Sequence, residues 1–133
     1  MTSRRTAICL IALGISAIAS IGSAAALDYP TRPVKWVVGY PPGGATDIIA
    51  RLLGQRLSER LGQQFVIENK PGAGNNIATE SVIKAEPDGY TLLFTAPGPL
   101  VINKILYSNL GFDPEQDLVP IGLFVTAPNL LMA

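Results

Sequence analysis

Residues 34–47 read VKWVVGYPPGGATD, and the two halves of this stretch obey different rules. Val34–Tyr40 is β-branched and aromatic, the composition of a strand. Tyr40-Pro41-Pro42-Gly43-Gly44-Ala45-Thr46 excludes regular structure, because the prolines lack donors and the glycines admit unusual backbone angles. Beyond it Ile49, Leu53, Leu57 and Leu61 recur at helical spacing, with Ile48 and Leu52 beside them. Arg51, Gln55, Arg56, Glu59 and Arg60 take the other face, so the pattern predicts an amphipathic helix with one buried stripe. Thr46 or Asp47 is placed to cap its start and Gly62 to end it.

Downstream the pattern repeats. Gln64–Glu68 (QFVIE) reads as a short strand, residues 69–75 (NKPGAGN) as a second Pro/Gly loop and Asn76–Ala85 as a helix. Pro87-Asp88-Gly89 is a turn, Tyr90–Thr95 (YTLLFT) a third strand, and residues 96–99 (APGP) a third Pro/Gly loop leading into a short helix through Asn103–Leu106. The order β-α-β-α-β predicts an α/β fold with a parallel sheet and right-handed crossovers. The loops are asymmetric. Those that enter strands are short turns, and those that leave strands are rich in glycine and proline. In a parallel sheet the three leaving loops, 40–46, 69–75 and 96–99, share the carboxyl edge, where open α/β sheets bind ligands. Leu118–Thr126 (LVPIGLFVT) reads as a further buried strand, and Asn129–Ala133 begins another apolar segment. An ending inside an apolar run predicts a truncated chain.

The first 26 residues stand apart. Arg4 and Arg5 precede an apolar run from Ala7 to about Ile21, followed by Gly22-Ser23-Ala24-Ala25-Ala26. A basic start, a short apolar stretch and an A-x-A-like end predict a secretory signal peptide cleaved near Ala26, leaving 27–133 as the mature chain and the periplasm as its compartment. The single cysteine, Cys9, would leave with the signal, and the chain has no histidine. Thiol nucleophiles, disulfides and the commonest general base and metal ligand are thereby excluded from the mature chain. Loss of Arg4 and Arg5 would leave eight basic against ten acidic residues, with no basic patch for nucleic acid.

Two loops offer chemistry. Gly43-Gly44-Ala45-Thr46-Asp47 precedes a helix whose free N–H groups and dipole favour an anion. The same residues also make sense as a turn with ordinary caps. Asp47 would repel a carboxylate beside it, accept a bond from a ligand hydroxyl or ammonium, or simply cap the helix. Asn75 and Asn76, after Pro71-Gly72-Ala73-Gly74, are caps or ligand donors. Thr95, Ala96 and Pro97 form a weaker third candidate. Neither a nucleotide-binding glycine motif nor a nucleophilic-serine motif is present.

Four segments, in order and spacing, resemble the Bug family of extracytoplasmic solute receptors, which serve tripartite tricarboxylate transporters. They are Tyr29-Pro30-Thr31-Arg32-Pro33-Val34; Pro41-Pro42-Gly43-Gly44-Ala45-Thr46-Asp47 with Ala50-Arg51; Glu68-Asn69-Lys70-Pro71-Gly72-Ala73-Gly74-Asn75; and Pro87-Asp88-Gly89-Tyr90-Thr91-Leu92-Leu93. The resemblance implies a periplasmic binding protein of two α/β domains that close on a small carboxylate, recognised largely by backbone amides and ordered water. It implies no catalysis and no cofactor, and partners in the subunits of a membrane transporter. The implied contacts are Gly43, Gly44, Ala45, Thr46 and Asp47, then Asn75, then Thr95, Ala96 and Pro97. Family members are more than twice as long, so the second domain would lie beyond Ala133 and this chain would be the N-terminal part of the first, binding weakly or not at all by itself. The alternatives are a truncated remnant or interaction module that uses its exposed tail without a ligand, and an enzyme acting on an anionic substrate.

Overall fold

A computed structural model describes residues 28–126. The expected signal segment, 1–26, lies outside them. The elements are β1 (Val34–Val38), α1 (Ala45–Leu61), β2 (Phe65–Asn69), α2 (Asn76–Ile83), β3 (Thr91–Phe94), α3 (Asn103–Leu106) and α4 (Pro114–Asp117). A single 3₁₀ turn, Ala73–Asn75, leads into α2, and a π-helical turn, Gly98–Ile102, leads into α3. The β-α-β-α-β order holds. The sheet is parallel throughout and runs β2-β1-β3, with Trp36 beside Ile67 on one side and Leu92 on the other.

β1 is central, and its sequence VKWVV shows why. Valine at alternate and adjacent positions suits a strand covered on both faces. Val34, Trp36 and Val38 pack with Ala50, Leu53 and Leu57 of α1 and with Phe65, Ile67, Leu92 and Phe94 of the flanking strands. Successive side chains of a strand point to opposite faces, and Val37 is as deeply buried as its neighbours. The second face is therefore covered too. The chain steps from β1 to β2 and then back past β1 to β3, so right-handed crossovers place α1 and α2 on opposite faces.

The stripe of α1 holds at Ile49, Leu53 and Leu57, which are half-buried, and departs from the periodic expectation elsewhere. Its most buried residues are Asp47, Ala50 and Gly54, while Ile48, Leu52 and Leu61 are 58%, 61% and 43% exposed. The cause is close approach. A side chain at Gly54 would meet Ile67 at 3.3 Å and Phe65 at 3.5 Å, so small residues let the helix axis sit against β2 and the bulky ones straddle the contact. The caps differ as well. Gly44 is the N-cap, and neither Thr46 nor Asp47 occupies that position. Gly62 ends the helix in the left-handed conformation with its N–H on Ser58 O, as its position predicted. α2 stops at Ile83, two residues before the expected end.

The tail overturns its expectation more fully. Residues 118–126 form no strand, and Val119, Ile121 and Leu123 are 87%, 76% and 83% exposed. Phe124 rests on Phe94 and Trp36 at ring-centre distances of 5.5 and 6.1 Å. Aromatic contact holds one side chain and leaves the backbone unpaired. The Trp36 indole N–H is buried without an acceptor among the described residues. Among the described residues no helix is long and apolar enough to cross a membrane.

Candidate functional site at the carboxyl edge of the sheet

All three strands end at one edge. The order β2-β1-β3 makes the gap between β1 and β3 the point where the chain reverses its direction of winding, and open α/β sheets form their ligand crevice at such a point. The loop after β2 then crosses above β1. A side chain on Gly39 would lie 2.7 Å from Asn75 Cβ, so glycine is required for this crossing. On the far side, Asn103 Nδ2 donates to Gly74 O at 2.8 Å and to Asn76 Oδ1 at 2.6 Å, which fastens the second loop to the segment after β3. The predicted residues of the three loops thus belong to one rim.

The first loop is organised around Asp47. This side chain is 3% exposed and stands in the first turn of α1. Its Oδ2 accepts from Gly43 N and from Arg51 Nε, both at 2.9 Å, and its Oδ1 accepts from Asn69 Nδ2 at 2.8 Å. The Arg51 guanidinium, then the Gly43 amide and the Asn69 amide, hold the carboxyl well below the usual carboxylate range, against the opposing effect of burial. Asp47 is therefore an ionised group whose lone pairs are taken up inside the fold. Gly43, at φ +85°, adopts a backbone angle open to glycine.

Gly44 supplies no side-chain cap. Ala45 and Thr46, exposed and half-buried, keep their backbone N–H groups without an acceptor among the described residues. These are the orphan donors of a helix start, at the positive end of a 17-residue helix. The second helix begins at the same edge. Asn75 precedes it in the left-handed conformation at φ 76°, and its side chain makes no cap bond. The residue is 7% exposed; its backbone N–H donates to Gly72 O at 2.9 Å, and its side-chain amide has no hydrogen-bond partner among the described residues. Asn76 does not cap either; its Oδ1 is bound to Asn103. Thr95 donates its hydroxyl to Ala96 O at 3.3 Å, Ala96 is half-buried and Pro97 is exposed. The nearby cations are engaged, Arg51 with Asp47 and Lys70 with Glu68 at 3.1 Å. The rim thus offers backbone and side-chain amides, with its positive charges already matched. Among the described residues no acidic cluster is arranged to hold a metal.

Asn69, Arg51 and Asn103 were not legible as site residues. The Asp47–Arg51 spacing of four on a helix was an available signal. Asn103 had none, because its partners lie 27 and 29 residues away.

The family model for the tripartite tricarboxylate transporter family receptor matches residues 49–133. The chain belongs to that family. BugT of Bordetella pertussis is 39% identical over 119 residues, which are 86% of this chain and 36% of BugT. The solved R. palustris Rpa4515 with adipate is 46% identical, with a TM-score of 0.63 over 65% of this chain and 29% of that one. MatC from Rhodopseudomonas palustris with bound malate is 36% identical, with a TM-score of 0.55 over 67% and 30%. The chain therefore spans about a third of the length of the relatives it matches. The resemblance read from the four segments is that of a Bug-type receptor, and the parallel sheet is the α/β architecture of periplasmic binding proteins.

Proposed function

We propose that residues 43–47, 75 and 95–97 form one wall of a site for a small carboxylate, and that the chain acts as part of an extracytoplasmic receptor delivering that acid to a tripartite transporter. The carrying observation is the pair of unmatched backbone amides of Ala45 and Thr46 at the start of α1, together with the unpartnered side-chain amide of Asn75 at the same sheet edge. Anions favour such a site because the donors are fixed in place and the helix dipole is positive there. Asp47 does not oppose this reading, since Arg51 neutralises it and its oxygens face inward. Adipate and malate, bound by two relatives, define the class to test. On this reading the chain binds such a ligand and performs no chemistry on it. A basic, apolar and then alanine-rich start fits export to the periplasm with cleavage near Ala26. The longer relatives fit a second wall contributed by further chain.

The test is thermal unfolding of the purified chain with adipate, malate, citrate and glutamate. Ligand at about a hundredfold over Kd stabilises by about 2.7 kcal/mol, which for a domain of this size is a shift of roughly 10 °C or more. A midpoint that rises with one acid supports the reading. A midpoint that no acid moves at millimolar concentration overturns binding by this chain. Concentration-dependent association in that case would favour the interaction module, for which the exposed Ile105, Leu106, Val119, Ile121 and Leu123 supply the surface.

A further inference from the structure

We propose that Asn69 is a positioning residue for the ligand-facing loop, holding both ends of residues 40–47 with one side-chain amide. The inference rests on the reading of that loop as ligand-facing. Asn69 closes β2, in register with Val38 of β1. Its Nδ2 donates to Tyr40 O at 3.0 Å, where the loop begins, and to Asp47 Oδ1 at 2.8 Å, where it ends. Its Oδ1 accepts from Arg51 Nη2 at 2.9 Å. Asp47 then spends its other oxygen on Gly43 N in the middle of the loop.

Such a brace is needed here. Residues 41–44 are two prolines and two glycines, with no ladder bonds and with large backbone freedom at the glycines. The Gly44 N–H reaches Pro41 O only at 3.5 Å. Left to itself the loop would present the Ala45 and Thr46 amides in many directions. A carboxamide is the side chain that fits the three roles, two donations from one nitrogen and one acceptance at the oxygen. Aspartate has no donor, serine and threonine have one and are shorter, and glutamine is a methylene longer.

The experiment is amide-proton exchange by NMR on the ligand-free full chain, comparing wild type, Asn69→Asp and the swapped pair Asp47→Asn/Asn69→Asp. In Asn69→Asp, oxygens face the Tyr40 carbonyl and the Asp47 carboxylate. Exchange at Gly43 and Ile48 is expected to accelerate roughly tenfold or more while β1 amides keep their rates. The swap keeps the net charge and restores a donor–acceptor pair between positions 47 and 69, so most of the protection should return. A merely structural role predicts acceleration at Val37 as well and no rescue. Unchanged exchange at Gly43 in Asn69→Asp, or a swap as fast as the single variant, overturns the proposal. If Asn69→Asp does not fold, Asn69→Ser is read in the same way, with acceleration confined to residues 43–48 as support and its absence as refutation. A parallel adipate titration separates the two readings. Failure of wild type to bind adipate removes the proposed function and leaves the brace, whereas unchanged exchange with adipate bound removes the brace alone.

Discussion

The two ends of the sheet carry the four signature segments in pairs, and the pairs differ in what they leave unmet. At the amino end, the segment 29–34 meets the segment 87–93. Tyr29 Oη donates to Gly89 O, Thr31 N donates to Tyr90 Oη at 3.0 Å, and Arg32 pairs with Asp88 while lying over the Tyr90 ring. At this end the polar groups of the two segments satisfy one another. At the carboxyl end, the segments 41–51 and 68–75 also meet, through Asn69, Asp47 and Arg51, yet the backbone N–H groups of Ala45 and Thr46 and the side-chain amide of Asn75 remain unmatched among the described residues. A signature segment thus closes the fold at one end and leaves donors unspent at the other, where the proposed site lies.

Predictions at the two ends follow from that contrast. The largest effect is expected from acid, because protonating Asp47 weakens three bonds together. A carboxylate whose folded pKa is depressed contributes stability that is complete above its unfolded value of about 4 and is lost as pH falls below it. Thermal midpoints taken stepwise below pH 6 should fall most steeply under pH 4, and Asp47→Asn should flatten part of that slope. Gly39→Val drives a side chain into Asn75 and should cost about 1–3 kcal/mol in chemical denaturation, with the carboxylate-induced shift abolished. Asn103→Ala leaves Gly74 O and Asn76 Oδ1 without their donor. A loss of about 1–3 kcal/mol is expected, with weaker ligand binding by calorimetry. The amino end should respond differently. Tyr90→Phe removes the bonds to Thr31 at a cost of about 1 kcal/mol, and ligand affinity should not change. Asp88→Asn breaks an exposed ion pair worth about 0–1 kcal/mol, again with affinity intact. A loss of affinity from either amino-end variant would end the distinction between the two edges.

The residues show how far a one-dimensional reading reaches. Glycine and proline after each strand located the carboxyl-edge loops, since the chemistry of Pro41, Pro42, Gly43 and Gly44 is local. Gly62 was legible as a helix end for the same reason. The burial of α1 was legible only in part. Apolar spacing found Leu53 and Leu57, which pack on the core, but not Ala50 and Gly54, whose value lies in their lack of bulk. Leu118–Thr126 shows the opposite error. Its composition is that of a buried strand, yet burial needs a partner surface, and here Leu118 is no more than half-buried and Phe124 makes an aromatic contact while 51% exposed.

The sequence by itself determined the order of elements through β3, the parallel sheet, the shared edge of the loops and the family, because all of these follow from local periodicity, turn chemistry and ordered motifs. Only the tertiary structure decided that β1 is central, that the winding reverses between β1 and β3, and that Asp47 faces inward. Those outcomes depend on contacts such as Asn69 to Asp47 and Asn103 to Asn76, across 22 and 27 residues. Such distances close only when helices and strands pack, and no local pattern encodes which pair will meet.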